Sequence, residues 1–129
     1  MDPTGSSTTG TLDRNQPLPS TLSDDSAQDA FSRRLLGAML SLRNGDFAVR
    51  MPADLTGIDG KIADAFNEIA LVSERRALEA ARVSHAVGKE GKLKQRMRVP
   101  GAVGGWADEV AAINTLIDDL VWPTTEVTR

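Results

Sequence analysis

The chain has 129 residues, 40% of them hydrophobic, and a formal charge of −3, enough for one ordinary domain or two small modules. Cysteine is absent, which excludes disulfides and thiolate metal sites, and with His85 the single histidine, His-based metal sites and Ser/His or Cys/His catalysis have almost nothing to draw on. The mild negative charge argues against bulk binding to nucleic acid or anionic membranes.

Residues 1 to 28 are rich in Thr, Ser, Gly, Asp and Pro, with only Met1 and three leucines as large apolar residues. Such a segment buries too little surface to offset its ordering entropy, so a disordered tail is predicted. A helix is predicted from Asp29, with Phe31, Leu35, Ala38, Met39 and Leu42 at helical spacing and Asn44-Gly45 closing it. The stretch Gly45–Pro52 is too short and broken for a paired strand. It reads as an ordered connector pinned at Phe47 and Met51. A second helix is predicted from about Asp59-Gly60, with Ile62, Phe66 and Ile69 on its buried stripe.

No turn signal interrupts residues 60 to 87, so one long helix is expected. A strict heptad continuation puts Ser73 and Arg76 on the stripe before Ala80, Val83 and Val87 restore it, while Leu71 and Leu78 mark a competing face. The contact face therefore changes phase midway. The pattern then repeats. Ala80, Val83 and Val87 match Leu35, Ala38 and Leu42. Gly91-Lys92-Leu93 matches Gly45-Asp46-Phe47 with one extra residue before it, and Val99-Pro100 is aligned with Met51-Pro52. Ile113-Asn114 matches Phe66-Asn67, within the heptad seam Trp106, Val110, Ile113, Ile117 and Leu120. The chain thus holds a degenerate repeat of helix, glycine-marked connector and helix. A small module of this size cannot bury a large core alone, which points to association with another chain. Trp122-Pro123 reads as the start of one more helix.

A helix, then Gly-x-[Leu/Phe], an apolar residue before proline, and a helix with an aromatic-Asn pair resembles the HAMP module. The first copy carries Gly45, Phe47, Met51-Pro52, Gly60, Ile62 and Phe66-Asn67. The second carries Gly91, Leu93, Val99-Pro100 and Asn114. The run Gly88–Leu93, with Val99-Pro100-Gly101 and Gly105-Trp106, looks most like tandem HAMP arrays in soluble hybrid sensor histidine kinases. Two features depart from the pattern: neither first helix is opened by a proline, and Gly60 has no clear counterpart near Ala107. The resemblance divides the chain into a tail (1–28), a first module (29–72), a second module (73–120) and the start of a truncated third (121–129).

The resemblance implies an all-α fold: a parallel four-helix coiled-coil bundle formed as a homodimer. Connector packing would rest on Gly45, Phe47, Met51 and Pro52, then on Gly91, Leu93, Val99 and Pro100, with Leu93 set against Met97 or Val99. The dimer seam would run through Leu35, Leu42, Ile62, Phe66, Ile69, Val83, Val87, Trp106, Val110, Ile113, Ile117 and Leu120. Such modules relay signals by switching between two packings of one bundle. Ala80, Ser73 and Arg76, small or polar on the stripe, suit a bistable joint.

Other features read plainly. Ser84-His85-Ala86-Val87-Gly88 lacks the His-Glu or His-Asp context of a phosphoacceptor, so His85 is expected on the surface. Lys89, Lys92, Lys94, Arg96 and Arg98 form a basic run without aromatic interleaving, read as a solvated connector face. The acid pairs Asp24-Asp25, Asp108-Glu109 and Asp118-Asp119 diverge on a helix and make poor acid/base dyads. Trp106 at the head of the seam reads as a core anchor. The glycines of 101 to 105 lack the strand-turn-helix setting of a nucleotide loop. No run reaches the roughly 18 apolar residues of a membrane span, and the acidic, polar N-terminus does not match a secretory signal.

The expectation is therefore a cytoplasmic, non-catalytic signal-relay module from the N-terminal region of a two-component sensor kinase. It would have no cofactor or metal, and its partners would be a second copy and downstream HAMP or kinase modules. A free-standing helical dimerisation scaffold is the alternative, and a nucleic-acid-binding helical protein a third reading. A monomeric antiparallel bundle fits the same pattern.

Overall fold

A computed structural model describes residues 20–128, with side chains described over 25–121. The described chain is all-helical: α1 is Ser20–Arg43, α2 is Gly57–Ser84 and α3 is Gly105–Thr128. Two connectors link them, and α2 ends in a π-helical turn over His85–Lys89. The chain divides into two compact units, the first ending at Leu36 and the second running from Gly37.

Helix α1 starts at Ser20, nine residues ahead of the expected cap at Asp29. The predicted tail is thus helical over 20–28, while its first nineteen residues lie outside the described part. Composition argued against a core in this segment, but a helix nucleated downstream propagates outward at the expense of one residue's ordering per hydrogen bond. No glycine or proline stands between Ser20 and Gly37 to stop it. Asp29 instead lies inside the helix, paired with Arg33 one turn on at 2.9 Å. This pair is exposed and contributes a few tenths of a kcal/mol at most.

The close of α1 follows the sequence reading. Gly45 adopts φ 93°. Its N–H donates to the Leu42 carbonyl and the Asp46 N–H to the Ser41 carbonyl, the paired bonds of a Schellman cap. Helix α2 starts with Gly57 at φ 66°. Its fourth residue, Gly60, is buried so tightly that a Cβ there would run into the Leu55 carbonyl. That contact fixes the angle at which the first connector enters the helix.

Helix α2 runs without a break through the predicted phase change. Gly60, Ala63, Phe66, Ala70 and Ser73 are buried along its first half and Val83 near its end. Between them Arg76 is half-buried and Ala80 exposed. In the second half of this unit, Arg76 of α2 meets Glu109 of α3. Further along, Ala80, Val83 and Val87 share a groove with Ile113 and Ile117. Rising positions on one helix meet rising positions on the other, so α2 and α3 are parallel within one chain. That excludes, for this pair, the antiparallel fold-back that the sequence left open.

The second connector lies between this helix pair. Val83, Met97 and Val99 form its buried centre, with Val87, Ala102, Val110, Ile113 and Ile117 packed around them. At its far end α3 continues as a helix through Trp122-Pro123 to Thr128, where a new helix start was expected. Among the described residues no helix is long and apolar enough to cross a membrane.

Candidate functional site

The structure singles out the two connectors, which are extended and partly buried and so must find partners for their backbone polar groups. In the first, the Met51 N–H donates to Asn67 Oδ1 at 2.7 Å, and Asn67 Nδ2 donates to the Met51 carbonyl at 3.0 Å. The second repeats the arrangement: the Met97 N–H donates to Asn114 Oδ1 at 2.7 Å and Asn114 Nδ2 to the Met97 carbonyl at 2.9 Å. A side-chain amide offers one acceptor and donors on the same planar group, so it can satisfy both backbone groups of one extended residue. Both methionines are buried beneath these clamps, at 3% and 4% exposure.

The residue before each methionine is an arginine that folds back on its own connector. Arg50 Nη1 donates to the Phe47 and Val49 carbonyls, both at 2.7 Å. Arg96 Nη1 does the same to the Leu93 and Gln95 carbonyls at the same distance. Each then reaches an acid on the second helix of its repeat: Arg50 pairs with Glu74 at 2.9 Å and Arg96 with Asp118 at 2.8 Å. Arg-Met followed by a downstream Asn is therefore the repeated core of the connector.

This corrects the sequence alignment at one point. Val99-Pro100 is not the counterpart of Met51-Pro52; Met97 occupies that place. The spacing between copies grows in steps. Ala38 and Val83, both buried, are 45 apart. Gly45 and Gly91, both at positive φ, are 46 apart, as are Met51 and Met97. Gly57 and Gly104, again both at positive φ, are 47 apart, as are Asn67 and Asn114.

Each added residue has a physical location. The first is absorbed at the end of α2, where the π-turn widens the helix by one residue. The closing bond Asp46 N–H to Ser41 O in the first copy becomes Lys92 N–H to Ala86 O in the second, the same closure around one more residue. The second addition sits between Met97 and Gly104, in the loop that contains Pro100.

The connector residues expected from sequence fare unequally. Met51 and Val99 are buried, Phe47 and Pro52 half-buried, and Gly45, Gly91, Leu93 and Pro100 exposed. Leu93 is 37% exposed, and Met97 and Val99 together carry the second connector's buried apolar contact.

Along the expected seam, Phe66 and Val83 are buried within the chain, while Leu35, Leu42, Val87, Val110, Ile113 and Ile117 are half-buried. Ile62, Ile69, Trp106 and Leu120 are exposed. Trp106 is thus not a core anchor of the single chain. Its ring lies under the Arg76 guanidinium, 4.2 Å from the centroid. Arg76 Nε and Nη2 also donate to the two Glu109 carboxylate oxygens at 2.6 and 2.7 Å. This hydrogen bonding raises the Arg76 pKa and lowers that of Glu109, against a smaller opposing effect of burial.

The sequence reading missed the arginines Arg50 and Arg96 and their acids. The signal was present as Arg50-Met51 and Arg96-Met97 at a constant spacing, but alignment on the prolines obscured it. Elsewhere His85 is exposed and stands 3.8 Å from Glu90. Arg96 of the basic run is engaged with Asp118 and Lys92 with Glu90. Among the described residues no group of three or more His, Asp or Glu could hold a metal ion. No protein-family model matches the chain, and no solved structure matches it.

Proposed function

We propose that this chain is a tandem HAMP-like relay: two modules that pair with a second copy as a parallel four-helix bundle and pass a packing change from one end to the other. It catalyses nothing itself, and the output, a histidine kinase or further module of a cytoplasmic two-component sensor, lies downstream. The observation that most supports this reading is the duplicated connector clamp, together with open apolar positions on α2 and on α3, the two helices that run parallel.

Open apolar positions at helical spacing occur in each repeat. Ile62 and Ile69 are exposed seven residues apart on α2, with Ile58 one turn earlier; on α3, Leu116 and Leu120 are exposed beside half-buried Ile113 and Ile117. A groove of about 280 Å³ between α2 and α3, lined by Ala80, Val83, Val87, Met97, Ile113 and Ile117 with Ser84 and Gly88 at its edge, has mostly apolar walls. Two helices with apolar residues at this period bury them best against the same pair from a second chain. A relay further requires two packings close in energy. The midpoint of α2 supplies a weak seam, with Ser73, Arg76 and Ala80 where large apolar residues would otherwise interlock.

The test uses the absence of native cysteine. Single cysteines at Ile62, Ile69, Ile113 and Ile117 should cross-link to their own copies on oxidation, since same-site bridges need Cα atoms within about 7 Å. Cysteines at exposed Glu68 and Thr115 should not. Failure of all four seam positions in a chain that sediments as a monomer would refute the bundle. Cross-linking combined with a fused kinase that ignores Ala80→Leu and Ser73→Leu would leave a dimerising scaffold instead of a relay.

A further inference from the structure

One turn of α2 holds three consecutive charged residues, and each contacts a different part of the fold. Glu74 takes Arg50 of the first connector at 2.9 Å. Arg75 Nη1 donates to the Pro100 carbonyl of the second connector at 3.1 Å. Arg76 grips Glu109 with two bonds and covers Trp106, both on the first turn and a half of α3. Successive residues on a helix point about 100° apart, so a single turn reaches three separate elements. The same turn lies at the handover between the two repeats. Beside it, a cavity of about 190 Å³ is lined by Phe47 of the first connector, Met97 of the second, Glu109 and Ile113.

We propose that the Glu74–Arg75–Arg76 turn is the coupling node between the repeats, making the two Asn–Met clamps energetically dependent on each other. Apolar side chains sliding over one another tolerate small shifts. A two-pronged guanidinium–carboxylate pair has fixed geometry, so a rotation of α2 that displaces Arg50 and Glu74 must carry Glu109 and the head of α3 with it. The displaced α3 carries Asn114, and with it the clamp on Met97. Arg76 therefore acts as a positioning residue, and substitution by lysine, which cannot make the forked pair, would remove the coupling while keeping the charge. The coupling lies inside one chain and holds or fails independently of the dimer.

The two clamped amides are matched probes, because each reports its clamp through hydrogen exchange. In the full chain, Asn67→Ala or the milder Glu74→Gln should speed exchange of the Met97 amide by about threefold or more, though neither residue touches Met97. In an Arg76→Lys background the same upstream substitutions should leave Met97 exchange where Arg76→Lys alone puts it. The reciprocal experiment, Asn114→Ala read at Met51, should behave alike. Should Asn67→Ala prevent folding, Glu74→Gln carries the comparison. Met97 exchange indifferent to both upstream variants, or accelerated equally in the wild-type and Arg76→Lys backgrounds, would overturn the node. Sedimentation of the same samples separates this result from any failure of the parallel dimer.

Discussion

Replacing Asn114 by alanine removes both hydrogen bonds to Met97 and little else. Met97 is 4% exposed, and its segment is still held by Arg96 on Asp118 at 2.8 Å and by the Arg98 N–H on Glu79 at 2.8 Å. The connector therefore cannot swing out to hydrate the freed N–H and carbonyl. A buried polar group left without a partner costs about 1–3 kcal/mol. Two such groups, partly relieved by water entering the space vacated by the amide, give an expected loss of about 2–4 kcal/mol. At the middle of that range the unfolding equilibrium moves by roughly two powers of ten. Urea unfolding followed by far-ultraviolet circular dichroism measures the loss. Repeating the titration at several protein concentrations separates a change in association from the loss within the chain. Asn114→Asp retains the acceptor for the 2.7 Å bond and should fall between wild type and alanine. A loss under about 0.5 kcal/mol for the alanine variant would refute the argument, because it would mean the Met97 backbone is satisfied some other way.

Four further outcomes rest on contacts described above. Gly60→Ala drives a Cβ into the Leu55 carbonyl and should lower stability by about 1–3 kcal/mol, read as a fall in melting temperature. Glu109 is held below the usual glutamate range, chiefly by its hydrogen bonds from Arg76. Its pair therefore contributes fully above the unfolded glutamate pKa and loses that contribution as pH falls through the lowered folded value. A carboxyl titration by NMR should show a depressed midpoint that Arg76→Gln returns to the ordinary range. Deleting Gly88 removes the residue that the π-turn accommodates, restores the spacing of the first copy and should change stability by less than about 1 kcal/mol. Deleting Lys94 instead pulls Met97 off Asn114 and should cost about as much as Asn114→Ala.

The helices were legible because their signals are local. Asn44-Gly45 marked the first cap, and periodic apolar residues marked α2 and α3. The outer limit of α1 was not, because nothing at Asp29 opposes continuation and a helix end without a stop signal is set by propagation. Pro123 misled in the opposite direction: it reads as a helix start, yet the backbone stays helical through it. The repeat itself was visible, but its register inside the second connector was not. Proline draws an alignment because it is rare, whereas the physical demand common to both copies is for a backbone pair facing a side-chain amide. Arg76 showed as a polar interruption of a seam. That it meets Glu109, thirty-three residues on, depends on α2 and α3 being parallel and staggered, which periodicity alone does not specify.

Helix α2 closes the first repeat and opens the second without a loop between them. A chain built this way with n repeats needs n connectors and n + 1 helices, and no repeat ends where the backbone turns. The unit that can be copied or deleted cleanly therefore runs from the middle of one helix to the middle of the next, with both breakpoints inside regular structure. Recombination at the connectors would instead pair each clamp with a foreign helix. Growth or loss of repeats in such a chain should leave its scars within helices, at points where the phase of the apolar stripe slips.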